Sequence, residues 1–442
     1  MSDWRIAQLA DVADIRVSGV DKLSFASEKP VRLCNYMDVY ANDYVRADLP
    51  FMEATATAAE IAKFKVAQGD VMITKDSETP EDIGIPSVVT DEIEGLVCAY
   101  HLALLKPNRS LIDPIYLSKQ LATPATARYF ARNAAGSTRY GLSNGAIART
   151  PVPLAPLNQQ RKIAAILTSI DTAIEKIEAL IAKYQQIKAG LMHDLFTRGV
   201  LPNGQLRPPR EQAPELYQET AIGWIPREWR IAPLETILRE SGGYLQTGPF
   251  GSQLHAYEYQ TEGIPVVMPQ DINEGTIGTD AIARISEKRA VSLARHQLKI
   301  GDIIIARRGE LSRAAAVSKI EEGWLCGTGC FLLRLGRTDL NHFFFSHIYR
   351  YDYIQRQIAG TQVGTTMPSL NNSVMGRVSF PCPTPNEQNE ISIRLSNAEA
   401  EINSLRDHAE KLKLQKLGLM QDLLTGKVPV KVDAEAPELV DG

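Results

Sequence analysis

The sequence lacks the features of a membrane-spanning or secreted protein. No apolar run approaches the roughly 18 residues that a transmembrane helix needs. The first twenty residues carry three aspartates and no apolar core, so we expect no secretory signal. The 442 residues include only five cysteines, and this odd number fits a reducing compartment better than a disulfide framework. These absences predict a cytoplasmic protein without a membrane partner.

The sequence also lacks the short motifs of several enzyme classes. An adenine amino-methyltransferase needs Asn/Asp-Pro-Pro-aromatic, but Pro208-Pro209, the only such proline pair, follows an arginine. No Asp/Glu-x-Lys triplet of a two-metal nuclease occurs, and Gly426-Lys427 precedes valine instead of the Ser or Thr of a phosphate loop. His342 and His347 are five residues apart, which does not suit a helical metal pair, so we interpret them as packing or surface histidines. We therefore predict no catalytic residue, metal or bound cofactor.

What the sequence does contain is an internal repeat. Its offset drifts between 224 and 232 residues in the front part of each copy and is constant at 228, without a gap, over the last part. Matching segments are Trp4–Ala7 with Trp229–Ala232, Gly69–Ile73 with Gly301–Ile305, and Gln160–Thr197 with Gln388–Thr425. This pattern predicts two variable domains on helices of fixed length, related by a pseudo-two-fold. A two-part molecule suits a two-part target such as duplex DNA.

Composition does not identify the partner. The chain is long enough for two or three domains, each with its own core. A net charge of −4 counts against a basic surface over the whole chain, but it still allows a basic patch on one face. The spacing Cys326-x-x-x-Cys330 suggests zinc. However, Cys98, the repeat counterpart of Cys326, has no second cysteine nearby, so we interpret these residues as buried strand thiols.

Each half divides into a mixed domain and a long helix. Within the first half we predict short strands near 31–33, 70–74 and 102–105, and a helix over Pro114–Ala135 that ends at Gly136 as a C′ glycine. Closely spaced prolines, as in Pro151-x-Pro153, break regular structure before each long helix. The predicted segments are 1–155 (first domain), 156–200 (first spacer helix), 201–222 (irregular linker), 223–385 (second domain), 386–428 (second spacer helix) and 429–442 (acidic, disordered tail).

Apolar residues recur every seven positions in both helices, in two interleaved series, which predicts a coiled coil. Chain order makes the pair antiparallel, and aligned helix ends favour pairs whose residue numbers sum to 586. We expect Lys188 and Lys416, which interrupt the apolar series, to extend along the seam and place their ammonium groups in solvent. The alternative is that each helix packs separately on its own domain. The predicted interface residues are Ile163, Leu167, Ile170, Ile174, Ile177, Ile181, Tyr184, Leu191, Leu195, Ile391, Leu395, Ile402, Leu405, Leu412, Leu419 and Leu423.

Several segments resemble the specificity subunits of type I restriction-modification systems, and the resemblance covers almost the whole chain. One departure is that the second helix start, Pro385–Ile391, lacks the basic residue that Arg161 provides in the first, so the two starts should make different contacts. The resembling segments are Pro156–Ala164, Ile170–Asp171, Leu191–Thr197, Leu419–Gly426, Ile222–Trp229, Gln246–Leu254 and Gly69–Ser77.

The resemblance implies a mixed α/β (α+β) fold with two similar target-recognition domains joined by two antiparallel coiled-coil helices. It implies a non-catalytic subunit in which each domain reads one half of a bipartite double-stranded DNA site and the helices set the spacer. Methyltransferase subunits, one per half, would dock on the helices and carry S-adenosylmethionine, and a motor-nuclease (restriction) subunit would complete the complex. The alternative from another class is a stand-alone, coiled-coil-linked DNA-binding regulator.

Candidate DNA-binding residues follow from the repeat. Lys75 ends one repeated strand, and Arg307 and Arg308 end its counterpart, so we predict a basic DNA-facing edge in both halves. A solvated strand end is the alternative. Polar loops follow the repeated glycines and could contact phosphates or bases, although helix capping would also explain them. These loop candidates are Ser137, Thr138, Arg139, Tyr140, Thr361 and Gln362, with Gln253 and His255 in another loop.

Overall fold

The computed structural model describes residues 4–361 and 369–431. The chain forms two compact units, the first made of residues 1–179 and 406–442 and the second of residues 180–405. Gln362 and most of the predicted acidic tail, 432–442, lie outside the described residues. Among the residues that the structure describes, no helix combines the length and apolar character required to cross a membrane.

The first unit alternates short strands and helices before the first long helix. Its helices are α1 (Leu9–Val12), α2 (Tyr36–Tyr40), α3 (Ala58–Phe64), α4 (Pro114–Leu121), α5 (Pro124–Asn133), α6 (Asn144–Ala148) and α7 (Leu157–Thr197), the last continuing into the second unit. Its strands are β1 (Arg5–Gln8), β2 (Ala13–Val17), β3 (Lys29–Cys34), β4 (Tyr44–Val45), β5 (Met52–Ala56), β6 (Val71–Thr74), β7 (Asp76–Ser77), β8 (Pro86–Val89), β9 (Leu96–Cys98), β10 (Leu102–Pro107), β11 (Ala134–Ala135), β12 (Tyr140–Leu142) and β13 (Pro151–Leu154).

The second unit repeats this plan and ends in the second long helix. Its strands are β14 (Tyr217–Thr220), β15 (Gly223–Pro226), β16 (Arg230–Pro233), β17 (Tyr244–Thr247), β18 (Ile264–Val267), β19 (Ala283–Ile285), β20 (Ile303–Ala306), β21 (Ala314–Ala316), β22 (Leu325–Cys326), β23 (Cys330–Arg334) and β24 (Ser379–Cys382). Its helices are α8 (Leu234–Ser241), α9 (Glu287–Ser292), α10 (His342–Tyr349), α11 (Asp352–Ala359), α12 (Asn372–Arg377) and α13 (Pro385–Leu423), the last of which returns to the first unit.

Three sheets of the first unit have counterparts in the second, although the counterpart of the five-stranded sheet has four strands. The order β2-β10-β6-β8-β4 in the first unit matches β17-β23-β20-β21 in the second, β5-β3-β9 matches β19-β18-β22, and β1-β13 matches β16-β24. The central strands β6 and β20 are buried at every position, as expected for apolar runs covered on both faces. The sequence repeat is therefore a repeat of fold.

The two long helices pack against each other inside each unit. In the first unit, one core cluster contains Ile163 and Leu167 of α7 together with Leu423 of α13. In the second unit, another contains Leu195 of α7 and Ile391 of α13. The early part of each helix therefore meets the late part of the other, as in an antiparallel pair. All sixteen predicted interface residues are buried or half-buried.

Two local predictions differ from the structure, and a third is correct only in part. The helix predicted over Pro114–Ala135 is interrupted because Thr123 caps a new helix that begins at Pro124. Gly136 is not a helix cap: it lies between β11 and β12 with φ +146°, where a Cβ would meet the Arg139 carbonyl. Of the prolines before the long helices, Pro151, Pro153 and Pro381 lie within β13 and β24, each paired along one edge only, and the break in regular structure comes after these strands, at Pro156 and Pro383.

The predicted irregular linker, 201–222, contains regular structure. It includes β14, which pairs with β15 in a hairpin. It also carries Arg207, whose buried guanidinium binds the Glu387 carboxylate on α13, with 2.5 Å between Nη1 and Oε1. Trp229 donates from its indole nitrogen to the same carboxylate at 3.0 Å. A proline-rich composition did not reveal this ordering because it depends on one distant acid.

Candidate nucleic-acid interface

Lys75 stands directly after the buried strand β6, with its ammonium 3.3 Å from the Asp76 carboxylate. The other oxygen of Asp76 lies 2.5 Å from His101 Nδ1. His101 adopts a left-handed backbone, φ +72°, that is rare for a residue with a Cβ. Lys75, Asp76 and His101 are all half-buried, and they form a polar cluster at the end of the strand.

The predicted loop of the first unit lies beside this cluster. Asp76 and Ser77 form β7, which pairs with Gly141 and Tyr140 of β12. Ser137, Thr138 and Arg139 form the exposed connection between β11 and β12. The structure therefore brings Lys75 and all four loop candidates of the first unit to one edge, which distance along the chain did not predict.

Arg307 and Arg308 end β20 in the second unit but differ in their surroundings. The Arg307 guanidinium is half-buried: it donates from Nε to the Leu370 carbonyl at 3.2 Å and lies 5.5 Å from the centre of the Phe331 ring. Burial, with the neighbouring Arg308, lowers the pKa of Arg307. Arg308 is exposed, and its side chain forms no ion pair with any described residue. Arg308 is thus the more available cation of the two.

The remaining second-unit candidates are separated. Gln253 and His255 lie in an exposed loop that Arg289 holds by contacting the Gln253 carbonyl and the Glu258 carboxylate. The start of this loop touches the turn before β23, because Thr328 donates to the Pro249 carbonyl at 2.8 Å. The Thr361 hydroxyl donates to the Ile358 carbonyl at the end of α11, as expected if this residue caps the helix instead of contacting DNA. Gln362 lies outside the described residues.

The same backbone framework carries both edges. Lys75 and Arg307 donate their backbone amides to the carbonyls of His101 and Gly329, at 2.8 and 2.9 Å. Their own carbonyls accept from Leu142 and Leu370, each at 2.9 Å. Gly329 has φ +89°, so it occupies the left-handed position that His101 fills in the first unit. One framework therefore presents Lys75-Asp76 in one unit and Arg307-Arg308 in the other.

The cysteines lie where the repeat predicted. Cys98, Cys326 and Cys330 are strand residues with no exposed surface, and all are free thiols. Burial raises the pKa of each thiol well above its usual range. Within the ranges 4–361 and 369–431, no group of His, Cys, Asp and Glu has a metal-binding arrangement. Their environment is that of core side chains.

A buried ion-pair network joins the long helices to the first domain. Asp171 of α7 is buried and lies 2.7 Å from the ammonium groups of both Lys119 on α4 and Lys416 on α13. The exposed Asp43 lies 2.9 Å from each of the same lysines. Partial desolvation of the Asp43 carboxylate beside the network opposes its ionisation, but the two lysines lower its pKa to about 2. Tyr44 completes the network by donating to Asp171 at 2.7 Å.

The second unit contains the counterpart of this network. Glu399 of α13 lies 3.0 Å from Lys188 of α7 and 2.8 Å from Arg350 at the end of α10. Lys188 also reaches Glu274 of the domain, at 3.2 Å. Arg350 donates to His347 Nδ1 at 2.7 Å, so that nitrogen carries no proton and the ring is neutral. Burial lowers the pKa of His347 to about 4.

One prediction about these residues was wrong. Lys188 and Lys416 do not place their ammonium groups in solvent, because acids of the opposite helix and of the domain bind them. His347 is a buried packing residue, as predicted, and its ring also contacts Arg350 of the network. The repeat offset of 228 could have revealed the network, since it relates Asp171 to Glu399, Lys188 to Lys416 and Lys119 to His347.

The starts of the two helices are partly alike. Gln160 and Gln388 are buried, and each accepts from the backbone amide of the residue that caps α4 or α10, Asp113 or Asn341, at 2.9 and 2.7 Å. Arg161 is exposed and lines a cavity of about 460 Å³ in the first unit. Its counterpart Asn389 instead accepts from the side chain of Asn341 at 2.7 Å. The two helix starts therefore make different contacts, as the sequence predicted.

The family model of the type I restriction modification DNA specificity domain matches residues 1–188 and 254–414. These ranges cover most of the chain and include both halves of the repeat. The chain belongs to this family. It is thus a DNA specificity subunit of a type I restriction-modification system, a non-catalytic component of the complex. This match favours the specificity subunit over a stand-alone regulator.

Two specificity subunits from other type I systems are similar to this chain over nearly its whole length. The putative type I restriction enzyme MjaX specificity subunit of Methanocaldococcus jannaschii is 24% identical, covering 97% of this chain and 94% of its own length. The MjaVIII specificity subunit of the same organism is 22% identical, with the same coverage. The solved structure of the type I S subunit from M. genitalium matches 95% of this chain and 96% of its own at a TM-score of 0.61 and 15% identity, so the two share a fold.

Proposed function

We propose that each unit reads one half of a bipartite, asymmetric DNA site and that the paired helices set the length of the unread spacer. The observation that carries this proposal is the repeated strand edge, where one backbone framework presents different side chains. At the position after the first basic residue, the first unit has Asp76 and the second has Arg308. A carboxylate accepts from cytosine N4, whereas an arginine donates to guanine O6 and N7. Side chains of opposite charge at equivalent positions of the two units support recognition of two different half-site sequences.

The edges combine side chains suited to backbone and base contacts. Arg308 and the loop from Ser137 to Arg139 are exposed, so they can meet phosphates, which attract cations whatever the DNA sequence. Asp76, His101 and Lys75 are half-buried and hold one another, so their positions are defined before DNA arrives. Fixed side chains are better suited to reading bases than mobile ones.

The partners in this proposal are those of the type I complex. Two methyltransferase subunits, one for each half, would dock on the helices and the segments at their ends and supply S-adenosylmethionine. A restriction subunit with motor and nuclease activities would act when both strands are unmodified. The pseudo-two-fold repeat supports two equivalent docking sites on one chain.

Arg308→Ala in the assembled complex tests the second edge. We expect weaker DNA binding and a salt dependence reduced by roughly one phosphate contact. The matched control is Arg356→Ala, since Arg356 is exposed on α11 and pairs with Asp352 four residues away. Unchanged affinity and salt slope for the Arg308 variant would assign it to a solvated strand end.

Exchange of residues 1–155 for the equivalent domain of a relative tests the two-reader proposal directly. Mapping of methylated adenines should show one half-site changed, with the other half-site and the spacer retained. A change in both half-sites would contradict the assignment of one half-site to each unit.

A further inference from the structure

Each long helix contributes one lysine to an ion-pair network, Lys188 in the second unit and Lys416 in the first, and the two lysines occupy equivalent positions of the repeat. Lys416 of α13 binds Asp171 of α7 at 2.7 Å, and Lys188 of α7 binds Glu399 of α13 at 3.0 Å. Each lysine also binds an acid of a domain, Asp43 for Lys416 and Glu274 for Lys188. Each ammonium therefore joins the opposite helix and a domain at a single point.

The apolar residues do not select one register by themselves. Because they recur every seven positions, helices displaced by one heptad would again place apolar residues opposite apolar residues. A displacement of seven residues moves a side chain about 10.5 Å along the helix. The lysine ammonium would then lie beyond ion-pair distance of the acid on the opposite helix, and the buried carboxylates of Asp171 and Glu399 would each lose that partner.

We propose that Lys188 and Lys416 are positioning residues that select the helix register, and through it the spacer length of the DNA site. The inference about spacer length rests on the proposed function, whereas the inference about register rests only on the ion pairs. The two relations are independent observations, one inside each unit. In both ion pairs, Lys416 with Asp171 and Lys188 with Glu399, the residue numbers sum to 587, which is one more than the sum of 586 predicted for facing residues.

Disulfide crosslinking of the full chain, assembled with its methyltransferase partner, measures the register without DNA. Ile177→Cys with Ala409→Cys reports the proposed register, since these residue numbers sum to the predicted 586. Ile170→Cys with Ala409→Cys reports a shift of one heptad. A disulfide requires Cα atoms within about 7 Å, so the two pairs do not respond to the same register. With both lysines present, we expect the first pair to crosslink and the second to remain reduced.

Lys188→Met with Lys416→Met removes both charges and keeps the length of the side chains. We expect the ratio of the first crosslink to the second to fall at least tenfold. Lys188→Arg with Lys416→Arg should restore the parental ratio, because arginine can bind the same acids. The matched control is Lys183→Met with Lys411→Met, since these lysines are also repeat mates but are exposed. A double methionine variant that folds and keeps the parental ratio would overturn the proposal.

If the double variant does not fold, the two single methionine variants give the answer. Each keeps one network intact, so we expect the single variants to fold with a crosslink ratio below that of the parent. Single variants with the ratio of the Lys183 and Lys411 control would also overturn the proposal.

Methylation mapping then separates the two levels of the inference. A mixed register accompanied by additional spacer lengths would support both levels. A mixed register with the parental spacer would contradict the proposed role of the helices as a spacer and leave the role of the lysines in register intact.

Discussion

The two helix networks have the same plan but different chemistry at one position. In the first unit, Lys119 contributes a buried ammonium that binds both Asp171 and Asp43. In the second, its counterpart His347 is neutral, and Arg350 supplies the positive charge to Glu399 instead. The comparison shows that the repeat preserves the position and sign of the charges more strictly than the residues that carry them.

A second difference lies where each long helix begins. Glu387, near the start of α13, accepts from Arg207, Trp229 and the Val200 amide. Its counterpart in α7 is Gln159, which is only half-buried. Only the second unit has chain on its N-terminal side that comes from α7 and must be held against the next helix. This difference follows from the order of the units along the chain.

The largest effect should follow loss of the central acid. Among the residues that the structure describes, Asp171→Asn leaves Lys119 and Lys416 with the exposed Asp43 as their one carboxylate partner, and it weakens the acceptor of Tyr44. We expect the free energy of unfolding to fall by about 4–5 kcal/mol, as for a broken buried ion pair. Glu399→Gln should cost less, because the Arg350 guanidinium keeps its bonds to the Ser346 carbonyl and to His347 Nδ1. Urea unfolding of both variants measures the difference, and a larger loss for Glu399→Gln would reverse our comparison.

Glu387→Gln should come next in size. Among the described residues, the change leaves the buried Arg207 guanidinium with one carboxylate partner, the mostly exposed Glu228, and with the Arg198 carbonyl. We expect a loss of about 3–4 kcal/mol and earlier proteolysis of the 201–222 segment. The matched control is Gln159→Ala at the equivalent position, where we expect less than about 0.5 kcal/mol. Equal losses at both positions would show that the segment is not held by this ion pair.

Acid should destabilise the second network through His347. Its pKa is about 4 in the folded protein and about 6.5 in an unfolded chain, so the unfolded state takes up the proton first as the pH falls. Stability should therefore decrease between about pH 6.5 and pH 4, by up to about 3 kcal/mol. Hydrogen exchange of the α10 amides measures this loss locally. His347→Gln should flatten the pH dependence, whereas Lys119→Gln should leave it in place, and an unchanged slope for His347→Gln would contradict the neutral ring.

The smallest effects should come from the two buried glutamines, and these should be nearly equal. Gln160→Ala and Gln388→Ala each leave a capping-residue amide and at least one carbonyl without their partner. We expect each to cost about 1–2 kcal/mol. Thermal unfolding of the single variants tests this equality. A difference greater than about 1 kcal/mol would show that the helix starts diverge further than Arg161 and Asn389 indicate.

Much of the fold could be predicted from local patterns. The constant offset of 228 and the heptads predicted two matching halves and two long helices, because a helix interface imposes a period on its own sequence. Pro124, Pro153 and Gly136 were misjudged, since a proline can begin a helix or occupy an edge strand as readily as it ends an element. The candidate edge was predicted only in part. Lys75 and the loop from Ser137 to Tyr140 are joined by pairing of β7 with β12, which no local pattern records.

The sequence by itself determined the two-fold repeat, the long helices and the family to which the chain belongs, because each is written as a pattern along the chain. The tertiary structure decided which charged side chains are buried and which partners they bind. Lys188 and Lys416 look like surface residues in a heptad series, yet they are bound by acids that lie far away in sequence. The physical reason is that a buried charge is stable only beside a partner, and the position of that partner is set by the folding of the whole unit.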